Sequence, residues 1–448
     1  MNLVDNALRA KDWLDKNSTP NFVYITDKQR QPYEEVTGYF TPTLKNLGFH
    51  EQASAFADFL VSVQRPDGWW GLDKPYLFDT VMAIEGLLEF PEHRRSVDKA
   101  LLFVKNHIVY NGRFVNNYTY PMSNHLYARA IWVLRRAGLD TKKLEETYFI
   151  PENEAFTTVS HFWGYAFEAF ARMGYDCTNF IIECEKHSFL IPESPTNNNF
   201  CLTGLSQTAL SLFLCGVYDG GMIALKKAAE LQSEDGGFLG SVGGSYFPTE
   251  KPTWAVKFFL DACLEATKCW CRKNYGSFLY DFEGGVNDPR LKFISQRVSQ
   301  NDHVLDVGTG RGRYIRNISC WQKNACDIIG PSHQKCQDFD QAGVTMSNDA
   351  LCTNLPYLDN TFDKIICAEA MAFSIFHENA INEMLRVVKP GGSVLIIEKT
   401  GSKDSPWLQP LERWPDFDEL SKKFQTMKIT HLPTDGLGAR FVGVEVIK

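Results

Sequence analysis

The sequence has no basic excess, no long apolar run and no regular cysteine framework. Its 46 lysines and arginines are outnumbered by 54 aspartates and glutamates, which leaves a net charge of −8. General binders of nucleic acid or of membrane surfaces are usually basic, so we expect neither as a partner. No apolar stretch approaches the roughly 18 residues of a membrane span, and the charged first residues do not resemble a secretory signal.

The twelve cysteines are scattered along the chain. Their spacing fits neither a disulfide framework nor paired CxxC zinc ligands. Cys269 and Cys271 are too close together for a usual zinc knuckle. We therefore expect reduced core thiols, no bound metal and a cytoplasmic protein.

The 448 residues are too many for one ordinary core and predict two domains. Up to about Lys268 the apolar residues recur at helical spacing, with no alternating strand. After Asp288 come short β-branched runs, "HVLDVGTG", "FDKIICAEA", "SVLIIEK" and "FVGVEVIK", which are typical of an α/β sheet. We predict an all-α domain over 1–270, a linker over 271–286 and an α/β domain over 287–448.

The first domain contains a repeat. "DFLVSVQRPDGWWGL" and the fainter "KAAELQSEDGGFLGS" each place an amphipathic stretch before a glutamine, an acid–glycine pair and an aromatic residue. Subtracting the residue numbers of successive loop aromatics gives spacings of 44, 42, 44 and 38. These loop aromatics are Trp70, Phe114, Phe156, Phe200 and Phe238. With an earlier helix–loop–helix they make six helical hairpins, which predict an (α/α)6 toroid.

The repeats and their Q-x-x-D-G-G-[WF] signature resemble those of squalene and terpenoid cyclases and protein prenyltransferases. They are also similar to the six-hairpin glycan-acting enzymes. The stretch "PYEEVTGYFTPTL" favours this second resemblance over the first. The acidic DxDD and DDxxD motifs that cyclisation would need are absent from residues 1–270. The resemblance implies a domain that recruits a glycan, or one that hydrolyses, cleaves or epimerises it.

Few residues of these repeats are candidates for such chemistry. Asp79 and Glu168 are loose catalytic candidates, and Asp79 fits better as a helix N-cap because it precedes "TVMAIEGLL". The loop aromatics fit best as plugs between helices because they recur in register, whereas Trp69 is out of register and could stack on a sugar. The candidate substrate-binding residues are Asp67, Trp69, His125 and His161.

Motifs of the second domain point to a cofactor. "HVLDVGTGRGRYIRNI" reads as a strand, a turn containing Gly308, Gly310 and Gly312, and a helix from Arg313. Together with "SNDALCTNLPYLDNTFDKIICAEAM" and "INEMLRVVKPGGSVLIIEK", in that order, it resembles the class I S-adenosylmethionine-dependent methyltransferases. The resemblance implies a Rossmann-like fold with S-adenosylmethionine as cofactor.

It also implies roles for single residues. Asp306 would orient the ammonium group of the cofactor, the three glycines would let the backbone approach it, and Asp349 with Ala350 would hold the adenine. The acid expected for the ribose is missing at Ile329 or Gly330 of "NACDIIGPSHQ". Either the second strand is shorter and Asp327 serves, or Ser332 or His333 substitutes.

A hydroxyl acceptor needs a base near the end of the fourth strand. Glu369 is the better candidate there, because His377 is equally typical of a helix surface. "NLPY" precedes that strand, unlike the N-P-P-[YF] turn of amino-group DNA methyltransferases, so an oxygen acceptor is favoured over a nucleobase.

We therefore expect a methyltransferase that O-methylates a small molecule, carbohydrate or glycoconjugate, as in surface-polysaccharide biosynthesis. The alternatives are a bifunctional enzyme whose toroid is a glycan hydrolase, lyase or epimerase, a protein-interaction toroid, and an isoprenoid or natural-product acceptor. Carboxylates with aromatics inside the toroid would favour a glycan, and a purely aromatic lining would favour an isoprenoid.

Overall fold

A computed structural model describes residues 2–115, 125–149, 156–274, 285–328, 339, 343–346, 350–401, 411–434 and 440–448. The chain forms two compact units. Unit 1 comprises Met1–Lys45 and Phe49–Cys269, and unit 2 comprises Asn46–Gly48 and Trp270–Lys448. Residues 275–284 of the predicted linker lie outside the described residues.

Unit 1 is mostly helical, as predicted. Its helices within the described residues are α1 (Leu3–Lys16), α2 (Glu34–Asn46), α3 (His50–Val63), α4 (Leu77–Leu87), α5 (Arg94–Phe103), α6 (His125–Arg136), α7 (Lys142–Tyr148), α8 (Ser160–Met173), α9 (Thr178–Lys186), α10 (Leu202–Leu214), α11 (Tyr218–Glu230) and α12 (Thr253–Asn274). No helix in the described part of the chain is long and apolar enough to cross a membrane.

Even-numbered and odd-numbered helices of unit 1 differ in burial. Every residue of α4 is buried, and so are all residues of α10 except the last, whereas α5 and α9 bury only one face. Helices that are apolar on all sides belong inside a domain, with amphipathic helices around them. The contacts run from α4 to α6, α8 and α10 in turn.

The two ends of the helical series also meet. The Thr43 hydroxyl of α2 donates to Asp261 Oδ1 of α12 at 2.7 Å. The Asn6 amide of α1 donates to the carbonyl of Ala229 in α11 at 3.2 Å. These contacts are those that a ring of hairpins would need, and the closed (α/α)6 toroid stays a prediction.

The loop aromatics of the repeat pack largely as plugs. Trp70, Phe114, Phe156 and Phe238 are buried, while Phe200 is half-buried. Two of the five also enter two-residue strands that the sequence pattern did not predict, because alternation cannot show over two residues. These strands are β1 (Val109–Tyr110), β2 (Arg113–Phe114), β3 (Phe200–Cys201) and β4 (Ser241–Val242), paired β1–β2 and β3–β4.

Unit 2 is built on one seven-stranded sheet. Its strands are β5 (His303–Val307), β6 (Gln322–Cys326), β7 (Val344–Met346), β8 (Phe362–Ala368), β9 (Val388–Lys399), β10 (Met427–Leu432) and β11 (Phe441–Ile447). The spatial order is β10-β11-β9-β8-β5-β6-β7, and β11 runs antiparallel to both of its neighbours. The described helices of this unit are α13 (Pro289–Ser295), α14 (His377–Val387) and α15 (Phe417–Lys423).

The sheet has an apolar core on each face, as the β-branched runs predict. The predicted turn at Lys389–Gly392 forms a bulge in β9, because Phe362 pairs with Val388 but Lys364 already pairs with Ser393. Gly391 takes a φ of +78° in this bulge. The carboxyl ends of the parallel strands meet at one edge, where ligands of such sheets bind.

One predicted helix of unit 2 is absent. The sequence pattern predicts a helix from Arg313, whereas the structure has only a 3₁₀ turn, Ile315–Asn317, followed by Ile318 in an extended conformation. Asn and β-branched Ile are weak helix formers, and the Arg313 and Tyr314 side chains are held by Glu369. Local propensity and these contacts together end the helix after one turn.

The eleven described cysteines are all free thiols. Within the described residues no group of three or more His, Cys, Asp or Glu side chains could hold a metal ion.

Candidate functional site

The glycine turn after β5 forms the centre of the site in unit 2. Gly308, Gly310 and Gly312 have φ angles of +70°, +52° and +77°, which L-residues with side chains rarely adopt. A Cβ on Gly308 would lie 2.4 Å from the Cβ of Ala370. The turn is therefore a backbone cradle that only glycine can form at this position.

Asp306 lies beneath this turn, near the end of β5. It is 1% exposed, and its Oδ2 accepts a hydrogen bond from the Thr309 hydroxyl at 2.8 Å. Burial, reinforced by the nearby charge of Asp327, raises the pKa of Asp306 to about 7. A positively charged ligand group beside this carboxylate would offset the cost of its burial.

Asp327 occupies the position directly after β6, which ends at Cys326. It is buried, its Oδ2 accepts from the Gly310 amide at 2.7 Å, and its carbonyl accepts from the Ala350 amide at 2.9 Å. The short strand agrees with the alternative in which Asp327 is the acid at this edge. Asp349 and the other candidates Ile329, Gly330, Ser332 and His333 lie outside the described residues.

Glu369 follows β8 directly, as expected from the sequence, and takes a φ of +57°. Its Oε1 accepts from the Tyr314 hydroxyl at 2.8 Å and pairs with the guanidinium groups of Arg313 and, at 3.5 Å, Arg290. Two cations and a hydroxyl therefore hold this carboxylate in place. The tertiary structure brings both arginines to Glu369, which the sequence did not indicate, and its role as a base stays a prediction.

His377 is the first residue of α14 and is buried, which corrects the interpretation as a helix-surface residue. Burial, and then the charge of Arg413, lowers its pKa to about 4. The imidazole is therefore neutral at pH 7, and the lowered pKa makes it a weaker base than an ordinary histidine. Its Nε2 has no hydrogen-bond partner among the described residues.

The candidates in unit 1 lie in separate places. Asp67 is exposed in its loop, and Trp69 is half-buried with its ring 6.5 Å from that of Phe103. His125 begins α6, and its side chain lies outside the described part of the structure. Asp79 is in the first turn of α4 but does not cap it, because Tyr76 occupies the N-cap position.

His161 alone of these substrate candidates lines a cavity of about 230 Å³ within unit 1. The lining residues are Tyr33, Glu35, Phe78, Leu126, His161, Phe162, Tyr165, Tyr246, Phe247 and Trp254. Glu35 was missed in the sequence, where "PYEEVTGY" offered only an acid pair at a helix start. Nothing local distinguishes such a pair from ordinary first-turn acids.

Glu35 belongs to a buried carboxyl pair. Its Oε2 accepts from the Tyr33 hydroxyl at 2.5 Å, and its side chain is hydrogen-bonded to that of Asp79. Burial and then the charge of Asp79 raise the pKa of Glu35 well above its ordinary value. The raised pKa favours the protonated, uncharged form of Glu35.

Glu168, a candidate catalytic acid, belongs instead to a buried ion cluster. Arg129 donates to Glu168 Oε2 at 2.5 Å and to both oxygens of Glu85, at 3.1 and 2.9 Å. Burial alone would raise the pKa of Glu168, but the charge of Arg129 and of nearby cations lowers it to about 2. This carboxylate is structural and cannot serve as an acid at neutral pH.

Comparison with known proteins concerns the second half of the chain. A family model described as a methyltransferase domain matches residues 305–396. A ubiquinone/menaquinone biosynthesis C-methyltransferase of Geotalea daltonii is 30% identical over 125 residues, covering 25% of this chain and 53% of that protein. A tRNA (carboxymethyluridine(34)-5-O)-methyltransferase of Arabidopsis thaliana is 36% identical over 113 residues, covering 24% of this chain and 26% of that protein.

Among solved structures, that of a SAM-dependent methyltransferase from Aquifex aeolicus covers 39% of this chain and 98% of that chain, at 17% identity and a TM-score of 0.31. This chain spans about half, or less, of the curated relatives. The family model and the strand order give unit 2 a class I Rossmann-like methyltransferase fold, with S-adenosylmethionine as the supported cofactor. The relatives' names include carbon and oxygen acceptors, one of them RNA, so they set no acceptor class.

Proposed function

We propose that this protein is an S-adenosylmethionine-dependent methyltransferase in which unit 2 binds the cofactor and unit 1 binds the acceptor. The observation that carries the proposal is the glycine cradle after β5 with Asp306 and Asp327 buried on either side of it. Both acids lie at the carboxyl edge of the sheet, where a class I fold binds its ligand.

The residues present fit the cofactor. Asp306 accepts from the Thr309 hydroxyl and forms no ion pair with any residue that the structure describes, so the ammonium group of the cofactor would compensate its charge. Asp327 would accept from the ribose hydroxyls, and Asp349 with the backbone of Ala350 would hold the adenine. The bound cofactor supplies a methyl group on a positively charged sulfur, which an in-line nucleophile attacks.

A hydroxyl acceptor must also lose its proton. We assign this role to His377, because its imidazole follows the carboxyl end of β8 and its Nε2 has no hydrogen-bond partner among the described residues. Glu369 acts in this proposal as a positioning residue, since it orients Arg313 and Arg290 beside the cradle.

The acceptor that we propose is the hydroxyl of a carbohydrate or glycoconjugate, as in surface-polysaccharide biosynthesis. Support comes from the unit 1 cavity, which combines aromatic side chains with the buried carboxyl group of Glu35. A purely aromatic lining would instead have favoured an isoprenoid. The net charge of −8 favours a small molecule or glycan over nucleic acid.

Calorimetric titration with S-adenosylhomocysteine tests the cofactor site. The wild type should bind, Asp306→Ala should lose at least about tenfold in affinity, which is about 1.4 kcal/mol, and Asp418→Ala, an exposed acid of α15, should bind unchanged. No binding by the folded wild type would refute the methyltransferase assignment. Full affinity in Asp306→Ala would remove Asp306 from the site.

Gly308→Ala and Gly391→Ala separate the cradle from backbone strain. Their φ angles are similar, +70° and +78°, but only at Gly308 would a Cβ meet another atom within 4 Å. We expect Gly308→Ala to abolish S-adenosylhomocysteine binding, and Gly391→Ala to cost stability without affecting affinity. Equal affinities in the two variants would argue against the cradle.

A further inference from the structure

We propose that the unit 1 cavity binds one neutral hydroxylated ring, such as a single sugar residue, and recognises it without hydrolysing it. The inference rests on the proposed function only in taking unit 1 as the acceptor-binding part. The binding itself can be measured without methyl transfer.

The cavity lies where the first turns of several helices converge. The second residue of each of five helices lines it: Glu35 of α2, Phe78 of α4, Leu126 of α6, His161 of α8 and Trp254 of α12. Its 230 Å³ far exceed the roughly 10–15 Å³ that one water needs. The same volume is below the roughly 300–1,000 Å³ of pockets for drug-sized ligands, so it suits a ligand of one ring.

Complementary hydrogen-bonding groups line this space. Glu35 lines the cavity, and its carboxyl group in the protonated form that the raised pKa favours can both donate and accept. His161 Nδ1 lies 2.7 Å from Gln207 Oε1, so with the amide oxygen accepting, Nδ1 carries the proton and Nε2 is an acceptor. Burial lowers the pKa of His161 to about 3, which keeps the ring neutral. Such a mixture of donors and acceptors matches vicinal hydroxyl groups.

Aromatic side chains supply the rest of the lining. The ring centroids of His161 and Tyr246 are 5.5 Å apart, and those of Phe78 and Tyr165 are 5.2 Å apart. Trp254 Nε1 donates to the Tyr246 hydroxyl at 3.1 Å, which fixes both side chains. The C–H face of a sugar ring packs on such aromatic surfaces while its hydroxyl edge needs polar partners.

Other ligand classes fit less well. The charges of Arg129 and Lys257 contribute to keeping His161 neutral, and they would repel a cationic ligand in the same way. An isoprenoid would place only apolar groups against the Glu35 carboxyl group and the His161 ring, and would form no hydrogen bond with either. A carboxylate ligand would be repelled by the charge of Asp79, which is close enough to raise the pKa of Glu35.

Hydrolysis is also disfavoured by the carboxyl groups present. Glycosidases hold two carboxyl groups about 5–9.5 Å apart, with the scissile bond between them. Among the described lining residues of the cavity, Glu35 is the one that carries a carboxyl group, and Glu168 is paired with Arg129. The described lining therefore lacks the second carboxyl group of that mechanism and has the groups for recognition.

The test uses the full chain and methyl glycosides of glucose, galactose, mannose and N-acetylglucosamine, observed by saturation-transfer NMR and calorimetry. We expect at least one glycoside to bind. Glu35→Leu should weaken binding at least tenfold, whereas Glu35→Gln, which retains a donor and an acceptor, should stay within about threefold. Glu51→Gln, on the exposed side of α3, is the matched control.

Several outcomes would overturn the inference. One is the absence of binding by every glycoside to wild type that is folded by circular dichroism. Others are preferential binding of farnesol, equal affinities of Glu35→Leu and Glu35→Gln, and release of nitrophenol from the nitrophenyl glycosides of the same sugars. S-adenosylhomocysteine binding is measured in the same samples, so failure of the methyltransferase proposal is seen separately.

Discussion

The two units bury carboxylates in opposite ways. In unit 1, Arg129 is paired with Glu85 and Glu168. In unit 2, Asp306 forms hydrogen bonds but no ion pair with a described residue, and its pKa rises to about 7 mainly because it is buried. Burial likewise raises the pKa of Glu398 to about 8. Unit 1 thus compensates the charges of this ion cluster internally, whereas unit 2 buries acids without a paired cation in its described part, and Asp306 is the one at the glycine turn, where a ligand would complete the compensation.

The contrast separates a structural charge from a binding charge. A compensated ion cluster contributes to the fold, and removing one partner leaves the others buried and unpaired. An uncompensated acid costs stability, which proteins accept at sites where binding restores the balance. The following substitutions probe that difference.

Removing the cation of unit 1 should have the largest effect on stability. Arg129→Met leaves Glu85 and Glu168 buried without their main countercharge, and we expect a loss of about 3–5 kcal/mol in the free energy of unfolding. Arg172→Met, whose side chain is 27% exposed and pairs with Glu168 at 3.0 Å, should lose about 1 kcal/mol or less. Urea unfolding measures both, and equal losses would contradict the central role of Arg129.

Replacing Asp306 of unit 2 by a neutral residue should instead increase the free energy of unfolding, and only at higher pH. The pKa of Asp306 is raised from 3.8 to about 7, so the folded state holds its proton more tightly. Its contribution to stability is present below about pH 4 and is lost as the pH rises through 7. Relative to wild type, Asp306→Asn should therefore gain about 2–4 kcal/mol between pH 4 and pH 8.

Thermal unfolding followed across this pH range, without cofactor, measures the gain. The Asn side chain can still accept from the Thr309 hydroxyl, so that hydrogen bond is retained. A difference between the two proteins that does not vary with pH would show that Asp306 is not the buried titrating group. Cofactor affinity should fall in the same variant.

The smallest effect concerns the two tryptophans of the opening repeat. Trp70 is fully buried, and its Nε1 donates to the carbonyl of Leu60 at 2.8 Å, so Trp70→Phe should lose about 1–3 kcal/mol. Trp69→Phe, in a half-buried position, should change stability by less than about 0.5 kcal/mol. Equal losses in thermal unfolding would mean that the register of the repeat does not decide which aromatic is the plug.

How far the sequence predicts each unit depends on how local its signals are. The cradle, Asp306 and the strand before them are contiguous, so a motif identifies them and the fold around them. The prediction of a helix after the cradle is wrong, because the side chains of Arg313 and Tyr314 contact Glu369, which is 55 or more positions away in the chain. Likewise, no local pattern shows that Glu369 meets two arginines.

In unit 1 the periodic aromatics predicted helical hairpins, because the period of the pattern reflects the repeated packing of one element on the next. The cavity was not predictable in the same way. Glu35, Asp79 and His161 come from three helices, and the charge of Asp79 raises the pKa of Glu35 only because the fold brings the first turns of α2 and α4 together.

The sequence by itself determined the helical character of the first half, the α/β sheet of the second and the glycine turn, since each follows from periodicity or from residues adjacent in the chain. Only the tertiary structure decided which acids are paired, which is left uncompensated and which histidine is buried. These properties depend on burial and on charges from distant segments. The free energy of a charged group is set by the environment that the folded chain builds around it.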